Sequence, residues 1–142
     1  MTHRLGILAK SPPTLITSLK PVPRGTNGGV TIWGLVVSLL GGLWIGVAAA
    51  ISLRIQTSAT APDLLALIGY SGLSGLANSV LDSILGALFQ QTLYDESSKK
   101  IVLEPSASSR VVSGKPILSN NAVNAVSSTS VAIIVAWLAS RS

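Results

Sequence analysis

One aspartate interrupts a long run that carries no other charge. Asp82 lies within Leu64–Gln91, a stretch otherwise broken only by Asn78 and small polar residues. A carboxylate at membrane depth costs roughly 3 kcal/mol, so such a group is usually retained for function. Beside phosphates it would most naturally hold Mg²⁺. Two other stretches offer matching chemistry. KPVPRGTNGGVT, Lys20–Thr31, sets Lys20, Arg24, Gly25, Thr26, Asn27, Gly28 and Gly29 directly before a second uncharged run. Its cations can neutralise phosphates, and its glycines let backbone N–H groups come close to an anion. SGKPIL, Ser113–Leu118, brings Lys115 to the start of a third apolar segment, where Asn120, Asn121 and Asn124 recur at helical spacing. Ser119 or Asn120 can serve as an N-cap, but capping does not account for Asn124, one turn further in. The pattern predicts a phosphate or pyrophosphate site. Asp82, Lys115 and Arg24 are its catalytic candidates, with Asp82 also the metal ligand. Lys20, Gly25, Thr26, Asn27, Gly28, Gly29, Asn120, Asn121 and Asn124 are candidates for binding substrate. Neither soluble nucleotide motif is present: the glycine turn lacks the GK[ST] ending of a P-loop and is not GxGxxG.

The elements that must position these residues are membrane helices. Of the 142 residues, 48% are hydrophobic and only 11% charged, and mean hydropathy is +0.60. A soluble domain of this size would need more surface charge. The chain has no Cys, and its one His, His3, is near the N-terminus, which argues against thiol chemistry, Cys-based metal sites and a multi-His zinc site. The net charge is +5, but the cations lie in loops and aromatics are 4%, so no basic stripe interleaved with stacking rings marks a nucleic-acid partner. The acid-free first 24 residues overlap in composition with transit peptides, but SPPTLITSLKPVP is too proline-rich for a good amphipathic helix. The N-terminus has no apolar core of the secretory-signal kind.

Three spans are predicted, at about 30–53, 64–91 and 122–139, after a basic irregular segment 1–29 that ends in the glycine-rich turn. The first, 24 residues without charge, reaches roughly 36 Å at 1.5 Å per residue, enough for a hydrocarbon core of about 30 Å. Gly34, Ser38, Gly42 and Gly46 recur at spacing four and mark a seam for close helix packing. In the second span, Ser71, Ser74, Gly75, Asn78, Ser79, Asp82, Ser83, Gly86 and Gln90 fall within one half-turn, a face suited to protein or water rather than lipid. Residues 92–121 form a Ser-rich connection of 30 residues, expected to be a lid or partly disordered. Segments 1–29 and 92–121 carry eight Lys or Arg against two, Arg54 and Arg141, on the other side. The positive-inside rule then puts both segments in the cytoplasm, on one leaflet with Asp82 and the Asn cluster. The fold class is an all-α polytopic membrane protein, with about three transmembrane helices, a basic N-terminal segment and one long cytoplasmic loop.

SPPTLITSLKPVPRGTNGGVT, GLSGLANSVLDSILGALFQ and SGKPILSNNAVNAVSS resemble, in order and spacing, the eukaryotic transmembrane protein 19 family. That family belongs to a wider group of integral membrane proteins that includes plant phytyl-phosphate kinase. The resemblance runs from about Leu5 to Trp137. It implies transfer of a phosphate from CTP to a polyprenyl or phytyl phosphate. The matching positions are Arg24 to Gly29, then Asp82, Ser83, Leu85 and Gly86, then Gly114, Lys115, Pro116, Asn120, Asn121 and Asn124. Relatives in this family carry further helices and an acidic segment before this region. The resemblance therefore implies a C-terminal portion of such an enzyme, lacking some metal ligands and inactive by itself.

The expected cofactors are Mg²⁺ and CTP. The expected surroundings are the lipid bilayer of the endoplasmic reticulum or another endomembrane, with further transmembrane helices or a homo-oligomer as partners. Two other classes compete. A non-catalytic helix-packing subunit or remnant would use the glycine ladder against partner helices, and a transporter subunit would use Asp82 to couple ions.

Overall fold

The computed structural model describes residues 12–58 and 60–141. Arg4 and Lys10 of the basic segment lie outside the described residues. Three helices, each long and apolar enough to cross a membrane, dominate the chain: α1 (Ile32–Gln56), α2 (Ala61–Phe89) and α3 (Asn120–Ala139). The protein is a polytopic integral membrane protein, mostly helical.

Each helix end has a local cause. α1 starts two residues later than the sequence suggests, because Gly29–Val30 (β2) pairs antiparallel with Thr14–Leu15 (β1). The segment expected to be irregular thus holds a short ladder. At its other end α1 runs on through Arg54. There the Gln56 amide donates to the Ser52 carbonyl (3.2 Å), and the Thr57 hydroxyl donates to that of Leu53 (2.9 Å), closing the last turn. α2 begins with Pro62 inside its first turn, where the missing N–H is no loss. Asp63 Oδ2 accepts from the N–H (3.0 Å) and hydroxyl (2.5 Å) of Thr60. α3 is capped by Ser119, whose hydroxyl accepts from the Ala122 N–H at 3.2 Å.

The connection expected as a lid or partly disordered is instead an antiparallel sheet. β3 (Thr92–Asp95), β4 (Lys100–Val102) and β5 (Ser109–Ser113) stack in the order β4-β3-β5. Leu93 faces Val102 on one side and Val111 on the other, and the register slips between Thr92 and Leu93. Thr92, Leu93, Asp95 and Ser113 are buried. Asp95 organises the loop ends. It accepts from the N–H of Ser97 (3.3 Å), the N–H of Ser98 (3.2 Å) and the hydroxyls of Ser97 and Ser108. These bonds, that of Ser108 foremost, hold the Asp95 carboxyl well below the usual carboxylate range.

The chain divides into two compact units. One comprises residues through Trp33 together with Leu81–Ser127, and the other Gly34–Val80 together with the chain from Ser128. In the second unit α1 and α2 approach closely along small residues. A methyl group on Gly46 would lie 2.8 Å from the Ile68 Cα, and one on Gly75 would lie 2.6 Å from the Ser38 carbonyl oxygen. The glycine ladder therefore packs against α2 of the same chain. Asn78 Oδ1 in this unit is buried with no hydrogen-bond partner among the described residues. Trp44, Ile45 and Leu73 are more than half exposed, as side chains facing lipid can be.

Candidate functional site

Within the first unit, three segments meet on the C-terminal turns of α2. The first is the glycine turn. Gly28 adopts φ +80°, and a methyl group there would lie 2.6 Å from the Ala87 Cα and 2.7 Å from its nitrogen. Only glycine combines that left-handed backbone with so close an approach to α2. The neighbouring Asn27 is tied at three points. Its N–H donates to Thr92 Oγ1 (3.0 Å), its side-chain amide donates to the Gln91 carbonyl (3.4 Å), and its carbonyl accepts from the Ser113 hydroxyl (3.2 Å). Thr26 is buried, and its hydroxyl donates to the Pro23 carbonyl at 2.6 Å. The side chains of Thr26 and Asn27, both expected at a substrate, are thus engaged in building the turn. Gly25, at φ +89°, is exposed, and Gly29 gives its N–H to the Thr26 carbonyl at 3.0 Å.

The second segment is Gly114–Leu118. The last carbonyls of a helix have no partner within it. Here the Lys115 N–H donates to the Leu88 carbonyl (3.2 Å), and the N–H groups of Ile117 and Leu118 donate to that of Phe89 (3.1 and 2.9 Å). Pro116, which has no N–H, falls between the donors. Gly114, at φ +70°, lies against the Gln90 main chain, with no room for a side chain. The Gly-Lys-Pro sequence therefore caps α2 through its backbone, and the Lys115 side chain remains exposed.

The third is the start of α3. Val123 and Ser127 are 0% exposed. The Ser127 hydroxyl lies 3.2 Å from Asp82 Oδ1 and 3.2 Å from the Asn124 carbonyl, and can donate to either. Asp82 is half-buried, seven residues before the end of α2, or roughly 10 Å of helix. Asn120, Asn121 and Asn124 occupy exposed positions on the first two turns of α3. Lys20 and Arg24 are exposed in the N-terminal segment.

Glycine turn, Gly-Lys-Pro segment and Asn-rich helix start thus gather on residues 82–91, the C-terminal turns of α2 with Asp82 and the two residues that follow. Ser127, absent from the expected site, is the side chain joined to Asp82. Its signal in the sequence was its place on the stripe of Asn120 and Asn124. Thr92 and Ser113, which lock the glycine turn, gave no such signal.

The donor set limits any metal. Among the described residues, no three His, Asp or Glu side chains group to hold one. Asp95 is engaged by its serines, and Asp82 stands as a single carboxylate with one oxygen bonded to Ser127. That is too little for a protein-only cage. It suits Mg²⁺, which is commonly held by one or two carboxylates together with substrate phosphates.

The family described as integral membrane protein DUF92 matches residues 4–132. Protein PGR of Arabidopsis thaliana is 42% identical over 130 residues, 89% of this chain and 45% of the relative. An uncharacterized membrane protein of Methanocaldococcus jannaschii is 34% identical over 91 residues, 63% of this chain and 34% of that protein. The chain spans less than half the length of these curated relatives. No solved structure matches.

Proposed function

This chain belongs to the DUF92 family of integral membrane proteins, and from that premise we propose that it forms part of a membrane-embedded phosphotransferase. The reading places it with the transmembrane protein 19 branch and gives it the activity of an isoprenoid-phosphate kinase. An oxygen of a polyprenyl or phytyl monophosphate attacks the γ-phosphorus of CTP. The bond from that phosphorus to the β–γ bridging oxygen breaks, and CDP leaves with the bridging oxygen. The products are an isoprenoid diphosphate and CDP. Little covalent chemistry falls to the protein in such a transfer, so its work is positioning and charge stabilisation. Lys20, Arg24 and Lys115 neutralise phosphate oxygens. Asp82, its side chain bonded to Ser127, would supply a carboxylate to hold Mg²⁺. The bound ion would draw the phosphates together and offset their charge. The Asn side chains opening α3 orient the acceptor. The eight-to-two distribution of cations supports a site on the cytoplasmic side, and the reading sets the protein in the endoplasmic reticulum or another endomembrane.

The observation that supports this reading is the gathering of all three polar segments on the α2 turns that carry Asp82. Its test uses the complete membrane protein reconstituted with CTP, Mg²⁺ and phytyl phosphate, with diphosphate measured by mass spectrometry. Asp82→Asn should abolish product while leaving membrane yield intact. Equal turnover by wild type and variant would overturn the assignment.

A second reading, a non-catalytic subunit, draws on a different observation. Thr26 and Asn27 are each accounted for by bonds that build the glycine turn and tie it to residues 91–92, and the Gly114–Leu118 backbone by capping α2. It expects no turnover from the complete protein, and loss of assembly without Asp82 dependence.

A further inference from the structure

The second unit contains an apolar cavity of about 310 Å³ lined by Val47, Ala50, Ile51, Ile55, Leu64 and Ile68, with Arg54 in its wall. The position of the arginine is what gives the cavity a chemistry. A cation in the last turn of a helix usually serves the helix's own carbonyls or a nearby acid. Here other side chains already meet part of that demand. The Ser52 and Leu53 carbonyls accept from Gln56 and Thr57. Asp63, the nearest acid along the chain, accepts from Thr60. Arg54 itself is exposed and forms no ion pair among the described residues.

We propose that this cavity binds one acyl chain of an anionic phospholipid, whose headgroup phosphate is held by the Arg54 guanidinium. Guanidinium matches phosphate through paired N–H donors, and its flexible stem can follow the apolar wall while its head reaches the interface. The end of α1 is where such an interface must lie for a 25-residue spanning helix. An apolar chain alone would be served by any lipid-facing groove. The unpaired cation selects a lipid with net negative charge over a zwitterionic one, in which choline competes for the phosphate. The site is independent of the phosphotransferase reading, since it uses none of the residues placed there.

Native mass spectrometry of the full chain, released from nanodiscs of equal phosphatidylglycerol and phosphatidylcholine, tests the proposal. Wild type should retain phosphatidylglycerol with a roughly fivefold preference, the worth of one interfacial cation. Arg54→Gln should lose the preference, and Arg54→Lys should keep most of it. Ala50→Trp, which fills the cavity, should lose retention of both lipids, with thermal stability measured alongside to show that it is folded. Equal retention of the two lipids by wild type, an undiminished preference in Arg54→Gln, or a second copy of the chain in place of lipid would each overturn it.

Discussion

Replacing Gly28 with alanine should release the glycine turn from α2. Two costs combine. The φ of +80° is a left-handed conformation that an L-residue adopts at about 1–2 kcal/mol. The added methyl would sit 2.6 Å from the Ala87 Cα and 2.7 Å from its nitrogen, backbone atoms of a helix that cannot swing aside. Overpacking of this kind typically costs about 1–3 kcal/mol. The sum is about 2–5 kcal/mol, a large part of the stability of most domains. Gly41→Ala is the matched control. It sits within α1, its methyl meets nothing within 4 Å, and alanine gains about 0.8 kcal/mol of helix propensity there. Thermal unfolding in detergent should separate the two variants by roughly 3–6 kcal/mol, combining those estimates. Hydrogen exchange should place the damage: the Asn27 amide, bonded to Thr92 Oγ1 at 3.0 Å, should exchange faster in Gly28→Ala alone. Equal midpoints, or an unchanged Asn27 amide, would refute the packing of this turn on Ala87.

Three further outcomes follow from other contacts. Ser127→Ala removes the buried hydroxyl beside Asp82 and should cost about 1–3 kcal/mol, with Ser127→Thr recovering less than the full loss because of its extra methyl; chemical denaturation in mixed micelles measures both. Gly42→Leu drives a side chain into the Ser71 and Gly72 backbone, so α1 and α2 should separate; a cysteine pair engineered across the seam should then fail to crosslink. Asp95 has a folded pKa below its unfolded value, so its contribution is complete above about pH 4 and declines as pH falls from there through the folded value. Tyr94 fluorescence should stay constant from pH 7 to about pH 5 and change only in stronger acid, while Asp95→Asn should show the altered signal already at pH 7.

The sequence disclosed some of this arrangement better than the rest. Uncharged runs as long as Ile32–Leu53 admit few alternatives to a spanning helix, and the polar arc through Ser71, Asn78, Asp82 and Gly86 marked α2 as packed on one side. Spacing also brought Gly42 and Gly46 to one seam, although not which helix would fill it; α2 of the same chain does so in the second unit. The sheet was invisible for a physical reason. β4 and β5 are three and five residues long, β5 reaches β3 only across a long connection, and Asp95 holds the loop ends through serines that read as loop composition. The candidate site was legible as a set of residue types, but the use of each group was not. Thr26 and Asn27 looked like ligands for phosphate, yet both side chains also build the turn: the buried Thr26 hydroxyl finds the Pro23 carbonyl, and the Asn27 amide finds that of Gln91. The Gly114–Leu118 motif hid its principal role in backbone N–H groups, about which side-chain chemistry says nothing.

The claim that these segments form one phosphate site can be tested without turnover. Lys115 and Lys99 are both exposed in the first unit, Lys115 beside the end of α2 and Lys99 at the tip of the β3–β4 turn. An amine-reactive label should modify both in the reconstituted protein. Added geranylgeranyl phosphate with Mg²⁺ and CTP should slow labelling of Lys115 severalfold and leave Lys99 unchanged. Equal rates at Lys115 with and without the phosphates would contradict the account.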